Sequence, residues 1–334
     1  MKYGKLKYVD KPVSRLLFGT ATAELFAATR SDHGSEPDFN KKLDHAFELL
    51  DAAWAMGITT FDCALKYGEE PLGEWMKDRG LTDKAVILSK GAHHNDWRKR
   101  VTEYDILSDA HDSLKKLKRD YIDIYILHRD DPEVPVGPIV EVMNRLHQEG
   151  KIRAFGVSNW THQRIAEANE YALEHGLVPF TVSSPNFGLA DQVADLWGGG
   201  CVTISGPANK PAREWYAAQK MPVIAYSSLG RGFFSGRVKS DRPESAVEAL
   251  DDFAKVGYIS DDNFRRLARV EQLAAEKGVK VPEIAMAWIM NQPLDVYAVV
   301  ASSNETRMKS NILASELKLT EAECRWLDLE IDER

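Results

Sequence analysis

Two hydrophobic periods alternate along this chain. Short continuous apolar runs at 58–61, 86–88, 121–127, 152–157, 180–183, 223–226 and 296–300 read as strands buried on both faces. Between them apolar residues recur at three- and four-residue steps, which gathers them on one face of a helix. Over 39–56 that stripe is Leu43, Ala46, Phe47, Leu50, Ala53 and Trp54, and Gly57 supplies the stop. Over 105–118 it is Leu107, Ala110, Leu114 and Leu117. Further helices are predicted over 70–79, 139–149, 162–175, 212–219, 261–277, 282–291 and 305–313, and Thr320 with Glu323 spells a capping box that opens a last one. Residues 5–18 predict a hairpin turning at Asp10-Lys11-Pro12.

Strand then helix, repeated about eight times, implies an all-parallel sheet. No linker or low-complexity stretch divides the chain, and no G-x-G-x-x-G follows a strand, so a closed barrel is expected over an open dinucleotide-binding sheet. The predicted fold is α/β, a (β/α)8 TIM barrel forming a single domain over 1–334. Two long connections, 20–37 and 227–260, have the length of lids or binding loops, and Gly198-Gly199-Gly200 offers a hinge in a third.

Composition narrows the function classes. The 334 residues are 44% hydrophobic and 28% charged, which supports a large core and excludes disorder. A formal net charge of -8, with basic and acidic residues interspersed, argues against nucleic acid and membranes as partners. Cys63, Cys201 and Cys324 lie far apart, so neither a disulfide framework nor a zinc finger is expected. With no apolar leader and no membrane-length apolar run, a reducing cytoplasm is the expected compartment. His93 and His94 are neighbours that point apart in an extended segment and lack a third ligand, so no metal site is expected.

Reacting groups in such a barrel come from the C-terminal ends of its strands. Those ends are Asp62 with Tyr67 beyond it, Lys90, His128, Ser158-Asn159, Ser183-Ser184 and Tyr226-Ser227. Taken singly, they read as a turn former, a packing tyrosine, a solvated lysine and a structural histidine. Together, Asp62, Tyr67, Lys90 and His128 make an acid–base set on consecutive strands. Carbonyl reduction needs a proton on the carbonyl oxygen, and a phenol with its ordinary pKa of about 10 needs tuning to supply it. An ammonium at Lys90 would lower the Tyr67 pKa, Asp62 would hold that ammonium, and His128 would orient the substrate oxygen. Trp160, His93 and Asn186 are candidate substrate contacts, although Trp160 also reads as core. Their chemistry, with Asp130, Trp97 and Trp197, suits a carbohydrate-like ligand.

The motifs carry a resemblance over nearly the full length. Thr60-Phe61-Asp62-Cys63-Ala64 with Tyr67-Gly68 and Leu72-Gly73, then Tyr121-Ile122-Asp123 to Leu127-His128, then Gly150-Lys151-Ile152-Arg153 with Gly156-Val157-Ser158-Asn159, resemble the ordered signatures of the aldo-keto reductases. The resemblance implies a barrel plugged at its bottom by an N-terminal hairpin. It implies NAD(P)-dependent oxidoreduction of a small carbonyl or alcohol, with Asp62, Tyr67, Lys90 and His128 as catalytic tetrad and Tyr67 as the general acid or base. Ser158 and Asn159 would bind the nicotinamide carboxamide, and Tyr226 would stack on the nicotinamide. Ser227, Leu229, Gly230 and Arg231 would clasp the pyrophosphate. Gly19, Thr20 and Ser302 complete the expected cofactor contacts. Two departures stand out: Ser184 replaces the usual Gln, and Ala301-Ser302-Ser303-Asn304 lacks the common basic residue for a 2′-phosphate. Arg307 and Asn311 match the adenine-side pattern, so NADPH is expected, with NADH as the alternative. Two other functions stay open: a Schiff-base aldolase using Lys90, and a cofactor-binding regulatory subunit with little turnover.

Overall fold

Aliphatic and β-branched runs without proline form the strands of this chain, as the pattern requires. In the computed structural model, which describes residues 1–29, 39–197, 199–302 and 304–334, a short antiparallel hairpin of β1 (Tyr3–Gly4) and β2 (Val13–Ser14) precedes the barrel. The barrel strands are β3 (Leu16–Gly19), β4 (Thr60–Asp62), β5 (Val86–Gly91), β6 (Ile122–Leu127), β7 (Ile152–Ser158), β8 (Val182–Ser184), β9 (Val223–Ala225) and β10 (Val296–Val300). They close in the order β10-β3-β4-β5-β6-β7-β8-β9. The pairs from β3 to β7, and β9 with β10, run parallel. The connecting helices are α1 (Ala23–Ala27), α2 (Phe39–Ala55), α3 (Glu69–Arg79), α4 (Glu103–Leu117), α5 (Val136–Gln148), α6 (His162–Glu174) and α7 (Lys210–Gln219). After β9 come α8 (Ser245–Ala249), α9 (Asp252–Tyr258), α10 (Asp261–Lys277) and α11 (Val281–Met290), and after β10 come α12 (Glu305–Glu316) and α13 (Glu321–Leu327).

The chain forms two compact units. One comprises Met1, Tyr3–Ser183 and Ala301–Glu305; the other comprises Lys2, Ser184–Val300 and Thr306–Arg334. In the first unit, Thr102 and Thr161 cap α4 and α6 by accepting the backbone N–H of Asp105 and Arg164. The hairpin lies at the N-terminal ends of the strands. Ser14 Oγ accepts the N–H of Thr60 at 3.2 Å, and Lys11 donates to Ala85 O, just before β5, at 2.8 Å. Asp123 gathers the cations there: it pairs with Lys11 at 2.6 Å and with Arg119 at 2.8 Å, and it accepts the Ile87 N–H. Arg119 and Arg153 also stack over the Tyr121 ring, 4.7 and 4.6 Å from its centroid. The Asp123 of the second signature is therefore a fastener at the end opposite the tetrad.

In the second unit, buried Asn263 binds both the N–H and the C=O of Asp191, and Arg266 pairs with Asp328 in the interior. Thr320 and Glu323 form the expected capping box.

Three expectations need adjusting. The hairpin pairs Tyr3–Gly4 with Val13–Ser14, so it starts before 5–18, and Leu16–Gly19 is already the first barrel strand. The connection 227–260 is not an open loop, since it folds into α8 and α9; 20–37 begins with α1, and its part from 30 onward lies outside the described residues. Gly198 of the proposed glycine hinge also lies outside them.

Replacing Asp123 with alanine leaves Arg119 buried and unpaired, so we predict a loss of about 3 kcal/mol in urea unfolding. A loss below about 1 kcal/mol would show that the charge cluster carries little of the fold's stability.

Candidate active site

One ammonium group joins the C-terminal ends of β4 and β5. Lys90 Nζ donates to Asp62 Oδ1 at 2.6 Å, to the Cys63 carbonyl at 2.9 Å and to the Tyr67 hydroxyl oxygen at 2.9 Å. An ammonium has three N–H groups, and all three are committed. Asp62 and Lys90 are each 5% exposed, so the pair is strongly desolvated. Burial alone favours a neutral amine, but the Asp62 charge and the hydrogen bonds to Asp62 and Tyr67 outweigh it and hold Lys90 above its ordinary range. Burial pushes the Asp62 carboxyl upward, and Lys90 opposes that.

Tyr67 corrects an expectation. Lys90 does lower its pKa, but burial of the phenol outweighs the ammonium and the pKa is pushed up to about 12. The phenol therefore holds its proton at neutral pH, as a general acid must. Its position depends on Gly68, whose φ is 76°; a Cβ there would stand 1.8 Å from Thr20 Oγ1. Thr20, expected at the cofactor, donates its hydroxyl to Asp62 O at 2.9 Å, so it ties the end of β3, at Gly19, to the end of β4.

His128 stands edge-on to Tyr67, ring centroids 6.2 Å apart. Burial, then the Lys90 charge, drives its pKa well down, so the imidazole is neutral. Its Nδ1 is buried without a partner among the described residues. An orphaned acceptor costs less than an orphaned N–H, which favours the proton on Nε2. Asn159 (φ 61°) donates to His128 O and to Ser158 Oγ, both at 3.1 Å, linking the ends of β6 and β7.

Of the substrate candidates, His93 meets His128 edge-on, centroids 4.7 Å apart. Trp160 is 0% exposed, donates to Arg129 O and packs on Phe180, so it is a core residue. Asn186, in the second unit, is 1% exposed; its amide N–H donates to Tyr258 OH (2.8 Å) and its amide oxygen accepts from Thr203 Oγ1 (2.9 Å), which sets it in an internal network.

The other cofactor candidates of the second unit lie in β8, in the run after β9 and in α12. Ser184 donates to Ile224 O at 2.8 Å. The half-buried Tyr226 ring has Trp197 6.1 Å away. Ser227, Gly230 and Arg231, on either side of Leu229, take left-handed φ values of 54°, 58° and 48°, in a tight turn whose Gly230 N–H is bonded to Ser227 O at 2.8 Å. Arg231 lies between the Trp197 and Phe253 rings and pairs with Asp251 at 2.7 Å. Arg307 is exposed in the first turn of α12, and Asn311 is buried one turn on. Ser302, in the first unit, caps the Asn304 N–H.

The sequence profile of the Aldo/keto reductase family matches residues 33–329. The chain belongs to that family. It is 27% identical over 299 residues to a probable voltage-gated potassium channel subunit beta of Oryza sativa subsp. japonica, covering 84% of this chain and 86% of the relative. It is 27% identical over 305 residues to a probable aryl-alcohol dehydrogenase of Saccharomyces cerevisiae, covering 85% and 87%. Its fold matches a thermostable aldo-keto reductase, Tm1743, solved with the inhibitor epalrestat, with TM-score 0.69, 23% identity and coverage of 98% and 99%. As an aldo/keto reductase, the chain is an oxidoreductase of carbonyls and alcohols.

Sequence reasoning missed Glu69. It is the first residue of α3, two positions after Tyr67, and it accepts from Ser89, the neighbour of Lys90, at 2.5 Å. It thereby ties the tyrosine-bearing turn to the lysine-bearing strand. Only its burial, which no periodicity reveals, marks it. Burial pushes its carboxyl up to about 7. A folded pKa raised above the unfolded value gives stability that is present at low pH and lost as pH rises between about 4.5 and 7. Glu69→Gln removes that slope. We predict that its stability relative to the parent improves by about 1–3 kcal/mol between pH 5 and pH 8 in urea unfolding. A difference independent of pH would show that Glu69 does not titrate in the folded protein.

Proposed function

We propose that this aldo/keto reductase reduces an aldehyde or ketone, or oxidises the matching alcohol, with NADPH, or NADH as the alternative. The observation that carries the reading is the Lys90 ammonium committed at once to Asp62, the Cys63 carbonyl and the Tyr67 oxygen. When bound, the nicotinamide supplies or accepts the hydride. Tyr67 gives its proton to the carbonyl oxygen, and Lys90 stabilises the phenolate left behind. Asp62 keeps Lys90 charged. The Nε2–H of His128 donates to the same carbonyl oxygen and fixes its direction. In oxidation Tyr67 takes the proton back.

The residues present fit the cofactor. On this reading the left-handed turn Ser227 to Arg231 would clasp a pyrophosphate, and the half-buried Tyr226 offers an aromatic face. Ser184 stands where the family's usual Gln would be, and a hydroxyl replaces only part of an amide's hydrogen bonding. On this reading Ser158, Asn159, Gly19, Thr20 and Ser302 contact the cofactor in the first unit. Leu229, Gly230, Arg231 and Asn311 do so in the second, and the Arg307 guanidinium takes the 2′-phosphate. The reading assigns the protein to a reducing cytoplasm, where Cys63, Cys201 and Cys324 stay free.

The aldolase reading is disfavoured, because a Schiff base requires a neutral amine and Lys90 is held as an ammonium. A slow, cofactor-sensing role is the second reading. It is favoured by the rice relative, named as a probable potassium channel subunit beta and no less similar than the yeast dehydrogenase.

Two measurements test the proposal. NADPH and NADH titrated separately should quench tryptophan fluorescence, with NADPH the tighter; binding of neither would sink the reading. Tyr67→Phe should lower turnover of a reducible carbonyl by about 10²–10⁴-fold while the variant still binds NADPH. Steady turnover in the parent at enzyme-like rates would set aside the sensing role, and parental turnover in Tyr67→Phe would refute the acid–base assignment.

A further inference from the structure

His93 has no part in the acid–base chemistry above, yet the fold holds it firmly beside that chemistry. Ala92, at the end of β5, adopts φ 57°, a left-handed conformation that disfavours a residue with a Cβ. Its N–H is clamped by Asp109 Oδ2 at 2.8 Å, and Asp109 is in turn held by Arg100. This turn brings the His93 ring edge-on to His128, interplanar angle 84°. The following loop is tied down as well: His94 Nε2 donates to Asp130 O at 3.0 Å, and the Asp130 carboxylate pairs with Arg164 at 3.2 Å.

The hydrogen bonds assign the tautomer. A carbonyl oxygen only accepts, so His93 Nδ1, 2.8 Å from His94 O, carries the proton. His93 Nε2 is then a bare acceptor. It has no protein partner among the described residues and is not among the buried unpartnered atoms, so it stays accessible to solvent beside His128. Burial pushes the His93 pKa down to about 4, and the nearby Lys66 and Arg129 charges act in the same direction, so the ring does not become a donor at neutral pH. Two neutral imidazoles thus stand side by side with opposite offers: His128 a donor for the reacting carbonyl, His93 an acceptor for whatever lies next to it.

We propose that His93 is a specificity-determining residue whose Nε2 accepts a hydrogen bond from a hydroxyl on the carbon beside the reacting carbonyl, so that α-hydroxy aldehydes and α-hydroxy ketones are the favoured substrates. The inference rests on the reductase reading. A site that offers a committed acceptor favours the hydroxylated member of a matched pair, because the plain analogue leaves that acceptor unpaired.

The test compares kcat/KM for glyceraldehyde with propanal, and for hydroxyacetone with acetone. The parent should prefer the hydroxylated member about 10-fold or more. His93→Phe keeps an aromatic ring against His128 and removes the acceptor, so the ratio should fall to about 1. His93→Asn, which keeps an acceptor, should retain part of it. Each ratio is taken within one variant, so any general loss of activity cancels. An equal ratio in the parent, or a ratio unchanged in His93→Phe, overturns the assignment of His93 and leaves the reductase reading standing. Reduction of none of the four compounds by the parent, with NADPH or NADH, overturns the reductase reading itself.

Discussion

A buried charge must find partners, and the C-terminal ends of the first unit's strands are arranged around that requirement. The Lys90 ammonium is desolvated, and it is tolerated because Asp62 supplies the countercharge while the Cys63 carbonyl and the Tyr67 oxygen take its remaining N–H groups. These bonds fix where Tyr67 stands. The phenol oxygen is an obligatory acceptor of the ammonium, so its own proton is directed elsewhere, toward a substrate. Structure and chemistry here follow from one electrostatic constraint.

The supports of that constraint lie outside the reacting groups. Thr20 and Gly68 fit so closely that only a glycine permits the turn after Tyr67. Glu69 joins the same turn to Ser89 of β5, and Asn159 joins the ends of β6 and β7. At the opposite ends of the strands, Asp123 collects Lys11 and Arg119. Each fastener pins one element to the next, which lets the tetrad come from short strand ends without being loose.

Much of this was legible in the sequence, and the limits were physical. Long periodic segments such as Phe39–Ala55 and Asp261–Lys277 declared themselves, because an amphipathic stripe is a strong signal. Asp62, Tyr67, Lys90 and His128 could be named from strand-end position, since a parallel barrel brings those ends together. Three-dimensional burial was not legible. It reversed the expected direction of the Tyr67 pKa, turned Trp160 into core and closed Asn186 into an internal network. Short helices within long connections, α8 and α9, were missed because five to seven residues carry too little periodicity to read. The hairpin was placed late because its pairing residues, Tyr3–Gly4, have no strand-like run around them.

The account turns on the Lys90 charge, and chemical rescue tests it most directly. Lys90→Ala, verified as folded by near-ultraviolet circular dichroism, should reduce a carbonyl at least about 10²-fold more slowly than the parent, and added ethylammonium should restore part of the rate by filling the gap with a cation. Carbonyl reduction by folded Lys90→Ala at the parental rate, with no response to ethylammonium, would contradict the claim that this ammonium holds the site together.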